Sequence, residues 1–226
     1  MFRVASDVGA EPVRIAADGA VLDGDLALPA AARSVVLFAH GSGSSRHSPR
    51  NRYVAEALNR AGFATLLMDL LTPDEEDVDL RTRELRFDIP RLANRLTAAV
   101  DWLDEHSITA AMPVVLFGAS TGAAAALITA ADRPARVRGV ISRGGRPDLA
   151  GEAIVRVRAP TLLIAGGNDA TVRRLDQAAA ARLRTSGTDV EEAVVPGATH
   201  LFEESGALDA VIEATLDRLR DWTSSS

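Results

Sequence analysis

The sequence predicts an α/β fold: a doubly wound, mostly parallel sheet entered through an antiparallel N-terminal hairpin. Three observations carry that expectation. Short, continuously apolar runs alternate with longer helical stretches along the chain. Asp18-Gly19, a tight-turn pair, joins two strand-like runs near the start. The 226 residues, 47% hydrophobic and 25% charged, suit one globular domain rather than a disordered or fibrous chain. A domain of this length buries roughly 70% of the surface its unfolded chain exposes, so it needs neither disulfides nor a structural metal.

In chain order, residues 13–16 and 20–28 form the hairpin, and the second run alternates Val21, Asp23 and Asp25 against Leu22, Leu26 and Leu28. Residues 34–39, 63–68, 114–117, 137–141, 161–165 and 190–195 are too short and too uniformly apolar for surface helices, and read as buried parallel strands. Residues 50–61, 89–106, 121–132, 171–184 and 207–222 read as the helices between and after them. Thr72-Pro73-Asp74-Glu75 places an N-cap, a first-turn proline and a glutamate three residues on, so a short helix begins after the strand at 63–68. The segment 74–88 is otherwise charged and irregular, acidic first and arginine-rich later. It reads as a solvated surface excursion, with a small flap over the site as the other reading. Residues 223–226 read as a disordered polar tail. The chain is thus expected to be one domain over 1–226, with its core at about 12–222 and no large cap domain. Strand–helix alternation implies right-handed crossovers and puts the site at the carboxyl ends of the strands.

Composition excludes several chemistries. The formal charge is −6, which draws the chain to neither phosphate backbones nor anionic membranes, so nucleic acid and membrane are not expected partners. Lysine is absent and all 25 basic residues are arginine, which removes Schiff-base catalysis and any lysine-bearing phosphate loop. With no cysteine, disulfide frameworks, cysteine zinc sites and thiol nucleophiles are also out. His40, His47, His106 and His200 are scattered, so no metal site is expected. The longest apolar run, residues 123–131, is far short of the about 18 residues a membrane span needs, and the first residues lack a signal-peptide core. A cytoplasmic protein is the expectation.

The strongest motif is Gly118-Ala119-Ser120-Thr121-Gly122, between an apolar strand and an alanine-rich helix. A serine raised on a sharp strand-to-helix turn needs small neighbours, so that the strained backbone can fold and the helix can pack closely. A serine at its ordinary acidity is a poor nucleophile and needs a base and an orienting acid. Asp169 follows the strand at 161–165 within Gly166-Gly167-Asn168-Asp169, and His200 follows the strand at 190–195 within Pro196-Gly197-Ala198-Thr199-His200. Asp169 could instead merely cap the helix beginning at Thr171, and Asp176 is a weaker rival because it lies within that helix. Acyl transfer further needs an oxyanion hole, built from the backbone N–H after the nucleophile, Thr121, and one from the loop after the first long parallel strand, His40-Gly41-Ser42-Gly43-Ser44-Ser45. His40 reads as a brace of that loop rather than a base.

Taken together, Ala39-His40-Gly41-Ser42-Gly43, Phe117-Gly118-Ala119-Ser120-Thr121-Gly122, Gly166-Gly167-Asn168-Asp169 and Gly197-Ala198-Thr199-His200-Leu201-Phe202 give a chain that resembles the α/β-hydrolase superfamily, and within it the compact dienelactone hydrolase family. The order Ser120, Asp169, His200 is the one that superfamily uses. By analogy Ser42 supplies the second oxyanion N–H. The chain departs from dienelactone hydrolases proper, which use a cysteine nucleophile and carry a glutamate where His40-Gly41 stands here. The resemblance with these departures implies a serine hydrolase of a small ester, thioester or lactone, working through an acyl-enzyme and needing no cofactor. The alternative is a hydrolase-fold binding or accessory module. Arg46, Arg50 and Arg143 crowd the expected mouth, and Arg143 is the candidate for binding an anionic part of the substrate, unless it pairs with Asp148 or with the acidic segment near 74–79.

Overall fold

The computed structural model describes residues 8–223. Eight strands form one sheet: β1 (Ala10–Ala17), β2 (Ala20–Ala27), β3 (Val35–Ala39), β4 (Ala64–Met68), β5 (Val114–Ala119), β6 (Val137–Arg143), β7 (Thr161–Gly166) and β8 (Val190–Val195). Their spatial order is β1-β2-β4-β3-β5-β6-β7-β8. β2 pairs antiparallel with both β1 and β4, and every pairing from β4 to β8 is parallel. All eight strands read from the sequence are present. The order reverses at β3, so β5 to β8 are added outward on one side and the loops after β3, β5, β6, β7 and β8 gather at one edge, where such sheets hold their ligands.

Six helices cover the sheet: α1 (Pro49–Arg60), α2 (Pro73–Thr82), α3 (Ile89–Glu105), α4 (Thr121–Asp132), α5 (Ala170–Thr185) and α6 (Ala207–Thr223). Alternation along each central strand divides the core in two. Val35, Leu37 and Ala39 of β3, with Val114 and Leu116 of β5, face α3, α4 and α5. Val36 and Phe38, with Val115 and Phe117, face α1 and α6. Both faces of the inner strands are therefore buried, which is why they read as unbroken apolar runs rather than alternating ones. The edge strand β8 differs, exposing Glu191 and Glu192, as edge strands that resist further pairing do.

Two expectations need correction. Thr223 is not part of a tail: it is the last residue of α6, its hydroxyl donating to the Leu219 carbonyl at 2.6 Å; residues 224–226 lie outside the described residues. Segment 74–88 is not irregular either. It forms α2 and a 3-10 turn at Leu85–Phe87. The capping box forms as the sequence indicates, with Glu75 N–H donating to the Thr72 hydroxyl and Thr72 N–H to the Glu75 carboxylate. The same carboxylate takes two hydrogen bonds from Arg95 of α3, a side chain only 1% exposed, and one from Arg91. Asp79 in turn accepts from the backbone N–H and the guanidinium of Arg86. These partners lie up to 20 residues apart in sequence, so the order of this segment comes from ion pairs that no local pattern reveals.

Arg95 holds the Glu75 carboxyl down at about 2, far below the usual carboxylate range. Because the folded state depresses this group, the stability it contributes is present above the unfolded value and is lost as pH falls from about 4.5 towards about 2. Glu75→Gln should lower the unfolding free energy at neutral pH by on the order of 2–3 kcal/mol, since it leaves a buried guanidinium half-partnered. Denaturant titrations of both proteins along a pH series should show the difference shrinking through the acid range and vanishing near its lower end.

Candidate active site

Ser120 stands between β5 and α4 with φ 50° and ψ −120°, a backbone that side-chain-bearing residues rarely adopt. Its two flanking glycines explain how the turn closes. A Cβ at Gly118 would collide with the backbone of Ala123, and one at Gly122 with the carbonyls of Ala39 and His40. Helix α4 therefore starts hard against the ends of β3 and β5, and Ser120 is pushed up at their carboxyl edge. Its peptide is pinned on both sides: Ser120 N–H donates to the Arg143 carbonyl at 3.3 Å, and the Ser120 carbonyl accepts from Arg146 N–H at 3.0 Å. Thr121 opens α4, so its N–H has no partner within the helix.

His200 and Asp169 meet beside the serine. Asp169 Oδ2 lies 2.8 Å from His200 Nδ1, while Oδ1 of the same carboxylate accepts the Val172 N–H at 3.0 Å and caps α5. The Asp169 carboxylate thus makes two contacts, one oxygen at the first turn of α5 and the other at the imidazole. Gly166 lets this corner form, since a Cβ there would strike the carbonyls of Ala198 and Thr199 in the β8 loop. Gly144, with φ 54°, lies under the histidine: a Cβ there would be 3.1 Å from the His200 carbonyl oxygen and 3.6 Å from its ring. Asp176, the rival acid, is buried inside α5 and its carboxylate finds no hydrogen-bond partner among the described residues. Burial, with Glu192 and Asp169 nearby, pushes its pKa up to about 8.

The loop after β3 wraps the other side of Ser120. A Cβ at Gly41 would be 3.0 Å from the Ser120 Cβ, so this loop passes directly beside the serine. His40 is buried; its Nδ1 faces the Gly41 carbonyl at 2.9 Å, and its Nε2 accepts the Leu70 N–H at 3.0 Å. Those two bonds fix a neutral ring with the proton on Nδ1, and burial holds its pKa below the usual value. His40 is the loop brace that its position suggested, tying the ends of β3 and β4 together. Arg46 does not reach the site: it ion-pairs with Asp69, and its own N–H donates to the same carboxylate.

Two cavities meet at this loop. One, of about 250 Å3, is lined by Gly41, Ser42, Ser120, Arg143 and His200, with Arg50 and Asn51 from α1. The other, of about 330 Å3, lies beyond the loop and is walled by Leu71, Glu76, Leu80 and Arg86. Both are bordered by Ser42, Ser44 and Ser48. The segment at 74–88 is therefore a wall of the neighbouring cavity and does not line the one that holds Ser120. Arg143 pairs with neither Asp148 nor the acidic segment; Asp148 is held by Arg146 instead. No cluster of three His, Asp or Glu that could hold a metal occurs among the described residues, and no helix among them is long and apolar enough to cross a membrane.

The sequence model of the dienelactone hydrolase family matches residues 22–224. The crystal structure of a dienelactone hydrolase from Anabaena variabilis superposes with a TM-score of 0.92 at 51% identity, covering 96% of this chain and 99% of that one. Est1E of Butyrivibrio proteoclasticus shares the fold at 17% identity, with a TM-score of 0.77 over 93% of this chain and 98% of its own. A Mycobacterium tuberculosis protein that carries the provisional name phosphoribosyl transferase is 54% identical over 207 residues, 92% of this chain. The chain spans only 45% of that relative's length.

The packing around Ser120 yields one expected outcome. Gly122→Ala puts a methyl group into the Ala39 and His40 carbonyls, and α4 cannot withdraw without unseating the turn. It should destabilise the protein by about 3 kcal/mol or more, measured by chemical denaturation. Gly62→Ala, where a Cβ meets open space but φ is +92°, should cost only the milder backbone penalty of about 1 kcal/mol.

Proposed function

The chain belongs to the dienelactone hydrolase family, and we propose that it is a serine hydrolase that cleaves a small ester, thioester or lactone through an acyl-enzyme intermediate. The observation that carries this reading is a serine on a strained strand-to-helix turn sharing one cavity with a histidine whose far nitrogen is held by a carboxylate.

Ser120 Oγ attacks the substrate carbonyl carbon while its proton passes to His200 Nε2. Asp169 Oδ2 accepts the His200 Nδ1–H, which keeps Nε2 free as the base and favours the imidazolium that forms. Asp169 cannot swing away, because its second oxygen is bound to the start of α5. The carbonyl oxygen, as it gains charge, is received by the N–H groups of Thr121 and Ser42, donors held by the turn and by the β3 loop. His200 then gives its proton to the departing alcohol, thiol or ring oxygen. Water, deprotonated by the same histidine, attacks the acyl-enzyme and releases the acid and Ser120. The proton taken from each nucleophile is returned to each leaving group, so the cycle closes with water as the only co-reactant.

The name of the mycobacterial relative describes a protein of which this chain matches less than half. What supports hydrolysis here is the chemistry of this chain's own residues together with its family.

Ser120→Ala should abolish both labelling by a fluorophosphonate probe and hydrolysis of activated esters, with an unchanged circular dichroism spectrum. Wild-type protein that neither reacts with the probe nor turns over any ester would instead support a binding module. Asp169→Asn should reduce kcat by about a thousandfold or more with little change in KM, because it spoils the histidine's tautomer rather than a substrate contact. Asp176→Asn, about two helical turns further along α5, should leave kcat within a few-fold. Steady-state kinetics on one chromogenic ester decides between the two carboxylates.

A further inference from the structure

The catalytic cavity contains a cation that the proposed mechanism does not use. Arg143 ends β6, two residues after the inward-facing Ile141, so its side chain lies on the α1 face, with its guanidinium carbon 5.8 Å from the Phe117 ring centroid. It is 7% exposed, no carboxylate ion-pairs with it among the described residues, and its Nη1 is buried without a partner. Burial and the nearby Arg50 push its pKa down to about 10, so it remains charged at neutral pH. An arginine buried without an anion is a costly arrangement, and an incoming anion relieves it.

Arg50, on α1, lines the same cavity. Its Nη1 is tied to the exposed Glu203 at 2.8 Å, while its Nε is buried without a partner. Among the described residues no acidic side chain lines this cavity; the rest of its polar lining is Ser42, Ser44, Ser48, Asn51, Ser120 and His200. The cavity thus offers two guanidinium groups and several neutral donors to a ligand, one guanidinium wholly unmatched and the other held only by a surface carboxylate. A carboxylate, with one charge and two oxygens, satisfies Arg143 alone. A phosphate monoester, with up to two charges and three terminal oxygens, matches both arginines and leaves acceptor capacity for the hydroxyls that line the same cavity.

We infer that the substrate carries a phosphate monoester, a spectator in the reaction, seated on Arg143, and that Arg50 leaves Glu203 to complete its charge. This inference rests on the hydrolase reading for the identity of the substrate as a carbonyl compound, but the phosphate seat can be tested without turnover. At about pH 8 a phosphate monoester is doubly charged, and inorganic phosphate serves as the probe.

Calorimetry should detect inorganic phosphate binding to the wild-type protein, with acetate binding at least tenfold more weakly. Arg143→Gln should abolish phosphate binding. Glu203→Gln, which frees Arg50 from a surface residue, should tighten it several-fold. In turnover, three esters of one chromogenic alcohol, whose acyl chains end in phosphate, carboxylate or methyl, should rank in that order in kcat/KM. Arg143→Gln should lower kcat/KM for the phosphate ester by about tenfold or more relative to its effect on the methyl ester. Phosphate binding without hydrolysis of any ester would uphold the seat and overturn the hydrolase reading. Acetate binding as tightly as phosphate, or a carboxylate ester outranking the phosphate ester, would overturn the phosphate assignment. Phosphate binding unchanged in Glu203→Gln would remove Arg50 from the seat. Equal losses on all three esters in Arg143→Gln would make Arg143 a brace of the loops.

Discussion

The site depends on how closely helix α4 approaches the sheet. Ser120 holds an unfavourable backbone conformation, and such strain persists only where the surroundings leave the chain no alternative. Here the surroundings are the carbonyls of Ala39 and His40 against Gly122, and the backbone of Ala123 against Gly118. That contact joins β3 to β5 through α4, and so fixes where the β3 loop lies relative to the serine. The neutral His40 ring then secures the loop to the end of β4. The Ser120 turn, the start of α4 and the β3 loop are consequently positioned by that packing contact together with the His40 hydrogen bonds.

Much of this was legible in the sequence because the relevant forces act locally or repeat. The buried strands announce themselves through unbroken apolar runs, since both of their faces are covered. The elbow glycines, the capping box at Thr72 and the cap at Asp169 are short-range patterns, and each is found in place. What escaped was long-range electrostatics. The order of residues 74–88 rests on Glu75 meeting Arg95, and Arg46 is taken up by Asp69, 23 residues away. A charged stretch looks the same in sequence whether its charges meet water or each other. The 3-10 stretch at Pro147–Arg156, which breaks at Gly151, was also missed. Arg143 was singled out from its place after β6, but only the structure reveals that it lacks a carboxylate while Arg146 has one.

The chain as a whole is acidic, at −6, yet the cavity beside Ser120 is walled by arginines and neutral donors. The two facts are compatible because the fold sorts its charges. Carboxylates pair with arginines along the helices and on the 74–88 segment, at Asp101 with Arg133, Asp104 with Arg136 and Asp79 with Arg86. Net charge therefore describes the surface met by large polyanions, whereas a small anion that enters the cavity meets a local field of the opposite sign.

Asp176 gives helix α5 a chemical component that the sequence does not list: a proton. With its carboxyl pushed up to about 8 from an ordinary 3.8, the folded protein holds that proton across a range in which the unfolded chain has released it. Folding is then disfavoured progressively as pH rises through this window, and the loss levels off above it. Glu75 acts in the opposite sense, losing its contribution in acid. Folding of the helix whose first turn anchors Asp169 is thus coupled to proton uptake at Asp176 near neutral pH. Folding of this protein is, to that extent, a reaction with the buffer.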